Sequence, residues 1–594
     1  MTEVLRIGGA SGFWGEASHA TAQLLEAGVD VLVYDYLAEI TMSIMARARL
    51  KDPQAGFAGD FVSAAMAPNL AVIAARGVRV LSNAGGVNPA ACADALRVLI
   101  GKAGLDLKVA VVEGDDLLDR ADEFAGAREM FTGDPMPPRE RIASMNAYVG
   151  AGPIVAALRA GADIVITGRC ADSALTLAAC AAHFDWPLSD VDRMAAGSLA
   201  GHLLECGPQS TGGNFTDWEQ AGDIARIGYP IAEVAADGTM TVTKPEGTTG
   251  TVTPASVGEQ MLYEIGDPRA YVLPDVICDF AQVELVQSGA GRVRVTGARG
   301  RAPTGRLKVS ATWADGYRGG MVLQFNGRAA RAKARAYAQA ALDRAQAVLA
   351  GQGAPDYRQV SFECFGGFPG DRPYEEISLK AAVQHDDARA VGLFLKELIG
   401  VALATPPGLH FFTGAGRPKP SPVVRLFSFL VDARQLRCHV TLDGAEVPFA
   451  PAPPPPGTTE IQPAPEPDPV DPGARPMERR PLEALAWARS GDKGDMANIG
   501  VIARHPAYLP WIWAALTPEA VKAQFGDDIR GDVTRYYLPG SAAMNLLADL
   551  ALGGGGIASL RSDAQGKGFA QRLLSMPVPV PPGLIPNNDP TETS

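Results

Sequence analysis

"VDVLVYDYLAEI", residues 29–40, is an apolar, β-branched run that breaks at Asp35 and passes into a helix predicted from about residue 39. Strands of a parallel sheet are covered by helices on both faces, so they read as continuous apolar runs rather than alternating ones. The same reading repeats on either side: "VLRI" before a helix over 16–27, "VRVLS" before 89–103, "LKVAVV" before 115–125 and "ADIVIT" before 171–184. Repeated strand-helix alternation predicts an α/β domain, a parallel sheet with flanking helices, over residues 1–300.

The pattern changes beyond Arg301. Strand-like "GRLKVSATW" and "GYRGGMVLQF", an Ala/Arg-rich helix over 328–350, "VSFECF", a helix near 387–404 and two late strands around 422–443 predict a smaller α+β domain over 301–446. Residues 447–477, including "APAPPPPGTTEIQPAPEPDPVDPG", are too proline-rich to pack and are expected to form an extended linker. A C-terminal α+β domain over 478–582 and a flexible tail over 583–594 follow. At 594 residues the chain is too long for a single hydrophobic core, which agrees with this division.

Composition narrows the function classes. A net charge of −13 argues against nucleic-acid binding, because neutralising phosphates leaves a basic footprint. The seven cysteines are scattered and odd in number, without a C-x-x-C pair, as expected for reduced thiols in a cytoplasmic protein. The start carries no basic-then-apolar leader, and apolar runs are interrupted by charges such as Arg159 and Asp163, so no membrane partner is expected.

Ligands of open parallel sheets bind beyond the carboxyl ends of the strands. Those ends carry "GGASGFWGE" (8–16), "YDYLAE" (34–39), "SNAGGVN" (82–88), "EGDD" (113–116) and "TGRCAD" (167–172). Glycine-rich turns entering helices suit a phosphate, a carboxylate or a developing oxyanion, and they are also ordinary turn chemistry. Gly9, Ser11, Gly12, Trp14, Asn83, Gly85, Gly86 and Asn88 are therefore candidate substrate-binding positions. Ser11, Asn83 and Arg169 are expected to line one pocket, with Phe13 and Trp14 as an apolar plug or platform. Asp35 stands where a ribose-binding acid would, but the glycines at 8, 9, 12 and 15 do not spell G-x-G-x-x-G and no P-loop is present, so a nucleotide is disfavoured. The histidines form no chelating pair and no metal site is expected, although carboxylates leave Mg²⁺ open; no G-x-S-x-G elbow occurs.

"ECGPQSTGGNF", 205–215, sets Glu205 beside Cys206 and then breaks the chain. A carboxylate next to a thiol disfavours the thiolate, so Glu205 is read as the acid/base and Cys206 as a polarizable wall or proton donor. The competing reading is a buried structural cysteine in a tight turn. Arg169 and Asp172 complete the catalytic candidates; Thr211, Gly212, Gly213, Asn214 and Lys244 are further substrate-binding candidates. In the C-terminal domain the charged loop "ARSGDKGDMANIG" holds Arg489, Ser490, Asp492, Lys493, Asp495 and Asn498, expected to close over the crevice or to make a subunit contact.

"IGGASGFWGE", "NAGGVNP", "TGRCADSALTL", "ECGPQSTGGNF", "TKPEGTTGTVTPASVGEQMLYEIGDP" and "ARSGDKGDMANIGVIAR", in this order, resemble the acyclic terpene utilisation AtuA family over nearly the whole chain, a large N-terminal domain followed by an AtuA-like C-terminal domain. The resemblance implies an enzyme of acyclic terpene or branched-chain acyl-CoA catabolism, of lyase or hydratase type, acting on a branched or unsaturated acid or its CoA thioester. The alternatives are a non-catalytic ligand-binding or assembly subunit and a nucleotide-dependent enzyme. A small-molecule substrate and a homo-oligomer are expected. No resident cofactor is, and CoA enters only as part of a substrate.

Overall fold

In the computed structural model, residues 3–16, 19–412, 418–451 and 477–585 are described, together with isolated positions between 457 and 470. Most of the proline-rich linker and residues 586–594 of the tail lie outside the described residues. The chain divides into two compact units, one drawn from 1–312, 427–551 and 566–594, the other from 313–426 and 552–565.

The first unit is built on the strands β1 (Val4–Ser11), β2 (Val31–Tyr34), β3 (Arg79–Ser82), β4 (Val109–Glu113), β5 (Ile142–Ala147) and β6 (Ile164–Thr167). Its helices are α1 (His19–Glu26), α2 (Glu39–Lys51), α3 (Leu70–Arg76), α4 (Pro89–Lys102), α5 (Gly152–Arg159), α6 (Ala174–His183), α7 (Val191–Leu204) and α8 (Pro254–Leu262). Strands β1, β2, β3, β6 and β4 lie side by side in that order and all parallel. The sheet is larger and less uniform than expected. Antiparallel strands extend it beyond β1, starting with Ile231–Ala235, and beyond β4 through His439–Leu442, to eleven strands in all. One face packs the apolar sides of α1 to α4 and of the helical turn Phe61–Met66, with Leu24, Met45, Phe61, Ile73 and Leu96 buried. The helix expected over 115–125 is a 3₁₀ turn, Leu118–Phe124, because Asp115 is drawn onto Asn146 of β5 and Asp116 onto Arg49 of α2.

The same unit contains a four-stranded antiparallel sheet ordered Ala486–Lys493, Met496–Ala503, Ala543–Ala548, Val533–Leu538. The charged run expected as a loop is thus a hairpin: Arg489 to Lys493 continue the first strand, and Gly494 turns it with φ of 66°. This sheet packs on α8, whose residues 255–262 are all buried. Helix α8 starts where it does because Thr253 and Ser256 cap each other's backbone N–H (3.2 and 3.0 Å) and Pro254 takes the first helical position.

In the second unit Glu375–His385 pairs with Gln359–Gly367 on one side and with residues 317–327 on the other. Helices Ala330–Gly351 and Ala388–Gly400 cover that sheet through Tyr337, Phe394 and Leu398. Lys380 and Arg318 donate to the carbonyls of Leu560 and Ser559, holding the 552–565 segment to these strands.

Candidate active site

Three strand ends of the parallel sheet converge on one carboxyl. Asp35 follows β2 and is buried; Asn83, following β3, donates to its Oδ1 at 2.5 Å and accepts from the Tyr36 N–H at 2.7 Å. Ser11, at the end of β1, donates to the Asp35 carbonyl at 3.3 Å. Ser11 and Asn83, expected as substrate contacts, therefore direct their polar atoms to the floor of the site. Burial and then the charge of Asp172 push the Asp35 carboxyl up, against Arg169 and the Asn83 hydrogen bond.

Arg169, after β6, is 4 % exposed. Its Nη1 pairs with Asp172 at 2.5 Å, and its guanidinium lies 4.2 Å from the centroid of the Tyr148 ring. Lys308 sits 4.8 Å from the same ring centroid and 3.5 Å from Glu39, whose carboxylate also accepts from the Tyr148 hydroxyl. Burial opposes ionisation of Glu39, but Lys308, Arg169 and the hydroxyl outweigh it and hold the carboxyl well below its usual range. Behind Arg169, Asp115 accepts the Arg169 N–H and the Asn146 amide, each at 2.8 Å. Burial lifts the Asp115 carboxyl to about 7. A carboxyl higher in the folded chain than in the unfolded one binds its proton more tightly when folded, so its contribution to stability falls as pH rises from about 4 to about 7. Asp115→Asn keeps an acceptor for both donors. We expect its melting temperature relative to the parent to rise across that window, by the equivalent of at most about 4 kcal/mol; parallel pH dependences of the two proteins would contradict this.

Glu205 caps the C-terminus of α7. One turn earlier His202, 1 % exposed, places Nδ1 2.9 Å from Glu205 Oε1 and Nε2 3.1 Å from the Met261 carbonyl. A carbonyl only accepts, so Nε2 carries a hydrogen, and a single proton is shared between Nδ1 and Glu205. Burial raises the Glu205 carboxyl and the His202 contact opposes the rise. The second oxygen, Oε2, is buried with no hydrogen-bond partner among the described residues. Cys206 is half-buried; burial and the adjacent Glu205 push its thiol well up, which keeps it from acting as a thiolate. Gly9 and Gly12 allow β1 to approach this turn: a Cβ on Gly12 would stand 2.9 Å from the Glu205 carbonyl oxygen and 3.0 Å from Cys206 Cα. Gly12→Ala should therefore cost about 1–3 kcal/mol in denaturant unfolding, whereas a change within about 0.5 kcal/mol would show that the turn yields freely.

The remainder of loop 205–215 seats the C-terminal sheet. Arg489 is buried between Gln209 (3.0 Å), the Gly213 carbonyl (2.5 Å) and Glu259 (3.5 Å). Burial lifts Glu259 to about 7 against the pull of Arg489. Thr216 exchanges 3.1 Å hydrogen bonds with the backbone of Ala488, and Arg504 makes a bidentate pair with Asp217. Asn498 donates to the Leu262 carbonyl and accepts from Glu264 N–H. This docking brings Lys493 to the crevice. Burial works against its charge, but Tyr271, Glu264, Asp172 and Glu39 surround it and hold the ammonium protonated. Lys493 nevertheless keeps surface exposed to solvent.

Of the expected site residues, Arg169, Asp172, Glu205, Cys206 and Lys493 are thus brought together around Asp35. Trp14 donates to Asp60 at 2.7 Å and packs on the core. Asn88 donates to the Pro53 and Ala55 carbonyls, while Gly85 lets its turn approach Thr167 and Gly86 turns the chain with φ of 56°. Thr211 donates to the Gly228 carbonyl at 2.6 Å, and Gly212 and Asn214 are left-handed turn residues. Lys244 donates to the Thr248 carbonyl. Ser490 donates to the Gly566 carbonyl, Asp492 pairs with Lys567 at 3.5 Å, and the Asp495 carbonyl accepts from Ala551 N–H. Glu39, Tyr148, His202, Tyr271 and Lys308 were not singled out by sequence. Glu39 lay in a quoted strand-end loop and His202 three residues before Glu205 on one helix face; Tyr148, Tyr271 and Lys308 gave no local signal.

The family model for the acyclic terpene utilisation family protein AtuA matches residues 5–442, and that for the AtuA ferredoxin-like domain matches 480–579. The chain belongs to the AtuA family, and its C-terminal four-stranded sheet is the ferredoxin-like domain. Neither a curated protein nor a solved structure matches it. No described helix is long and apolar enough to cross a membrane, and no described cluster of His, Cys, Asp and Glu could hold a metal ion.

Proposed function

We propose that this AtuA-family chain is an acid-base enzyme of acyclic terpene or branched-acid breakdown, of hydratase or lyase type, acting on a branched or unsaturated acid or its CoA thioester. The observation that carries the reading is the 2.9 Å hydrogen bond between the Glu205 carboxyl, raised by burial, and the buried His202, in the site that also holds the cations Arg169, Lys308 and Lys493. In the hydration direction water oxygen bonds to the β-carbon of the unsaturated acid, the C=C electron pair takes the Glu205 proton at the α-carbon, and the surplus proton of the water returns to the Glu205–His202 pair. The cationic wall offsets the negative charge that gathers on the carboxyl or thioester oxygen during the step. The Cys206 thiol, kept protonated, forms part of the wall.

The test is turnover of branched α,β-unsaturated and β-hydroxy acids and their CoA thioesters in D₂O, followed by NMR at the α-carbon. Deuterium incorporation with interconversion of the two acids is the expected result. Binding of an acid without exchange or turnover would remove the hydratase reading and assign a ligand-binding subunit instead.

A further inference from the structure

Helix α7 carries His202 and Glu205 at its C-terminus, and its earlier turns wall a cavity of about 170 Å³ at the opposite end of the same sheet's strands. The cavity lies between α7, the turn 236–239 that joins strands Ile231–Ala235 and Met240–Thr243, and the turn 297–298 that follows strand Arg292–Thr296. Ala235 pairs with Val4 at the start of β1, and Met240 pairs with Val234 and Val295. Ser11 ends β1 at the candidate active site, so the length of that strand, roughly 25 Å, separates the two places.

Backbone fixes the walls. A Cβ on Gly238 would stand 2.9 Å from Ala196 Cβ, and one on Gly300 would overlap the Val191 carbonyl, so α7 already touches the chain at both turns and cannot move in to close the gap. The floor is apolar: Leu199, Met240 and Val295 are at most 3 % exposed. A cavity of about 150 Å³ lined by such side chains takes a benzene molecule, so this one has room for a body of five or six carbons, which restores the dispersion contacts that the gap forfeits. The mouth is polar. Its lining holds two carboxylates, Asp192 and Asp237, and one cation, Arg299, which Asp192 already holds at 3.2 Å. Arg193, next to Asp192 in sequence, is held by Asp190 at 3.1 Å. Asp237 takes the Thr239 N–H and hydroxyl on Oδ1, at 2.9 and 2.7 Å, and its Oδ2 accepts from no described residue.

We propose that this cavity is a second ligand site, one that takes a small branched aliphatic compound with a hydrogen-bond donor at its head, an alcohol or an amine, and turns away the matching carboxylate. The body packs on Leu199, Met240 and Val295, and the head donates to Asp237 Oδ2. A carboxylate in that position faces Asp237 with no donor between them. Nothing in this recognition involves Glu205, so it stands or falls independently of the hydratase reading.

The experiment is saturation-transfer NMR titration of the full-length chain with 3-methylbutan-1-ol, 3-methylbutylamine and 3-methylbutanoate, repeated on Ala298→Phe, whose ring would enter the cavity from the partly exposed turn. Alcohol and amine should bind the parent, and Ala298→Phe should abolish both while its melting temperature holds or rises. The part of the carboxylate's binding that Ala298→Phe removes should be at least about tenfold weaker than that of the amine, and Asp237→Asn should narrow this gap. No saturable binding of alcohol or amine, binding that persists unchanged in Ala298→Phe, or a carboxylate bound there as tightly as the amine would each overturn the site. Crystals of the parent under xenon keep the test independent of how Ala298→Phe folds: anomalous density between Leu199 and Val295 is expected, and its absence overturns the cavity.

Discussion

Glu205→Gln is expected to lower kcat by two to four orders of magnitude with little change in melting temperature. The amide can donate to His202 Nδ1 as the protonated carboxyl does, and His202 Nε2 still donates to the Met261 carbonyl, so the buried hydrogen-bond pattern survives. What is lost is the transferable proton. His202→Gln should act indirectly: Glu205 loses the partner that opposes its upward shift, and the pH profile of kcat/KM should move to higher pH. Cys206→Ser, by contrast, is expected to retain turnover within about tenfold, because a thiol pushed up by burial and by Glu205 is not a nucleophile at neutral pH. Full activity in Glu205→Gln, or its loss in Cys206→Ser, would transfer the chemistry from the carboxyl to the sulfur.

The second large effect is at the seat of the ferredoxin-like domain. Arg489→Met leaves Glu259, itself 1 % exposed, without its cation and leaves the Gly213 carbonyl and the Gln209 amide without their donor. Breaking a buried pair from one side costs about 3–5 kcal/mol, since the remaining charge must be desolvated alone. The loss should be smaller below pH 7, where Glu259 takes up a proton and no longer needs the cation. The measurement is dissociation after cleavage at a protease site inserted within 447–477. The parent fragments should stay together, the Arg489→Met fragments should separate at neutral pH, and Arg489→Met/Glu259→Gln should recover part of the association. An unchanged association in Arg489→Met would mean that the Thr216, Asp217 and Asn498 contacts suffice.

Local pattern was sufficient for the parallel core. The runs at 4–7, 29–34, 78–82, 107–112 and 162–167 are mostly apolar without strict alternation, each with one charged residue near its start, as strands covered on both sides are, so the strands and the edge where their loops emerge followed from residue order alone. Glu205, Cys206, Arg169 and Asp172 were visible for the same reason: each stands at an element's end, where chain direction and turn chemistry reveal themselves within a few residues. Charge patterning misled at 488–495, because mixed charges with glycines read as a loop closing over the crevice or making a subunit contact, whereas these residues form a strand and turn, and the partners that pair Arg489 and Asp492 lie on α8, in loop 205–215 and at Lys567, far away in sequence. The hydrogen bonding of His202 depends on a carbonyl of α8, at Met261, and the position of Lys493 on the packing of the C-terminal sheet against α8. Hydrogen bonds and ion pairs act over a few ångströms in space and not along the chain, so residue order placed the strand ends, and tertiary packing decided which of their side chains meet water and which meet each other.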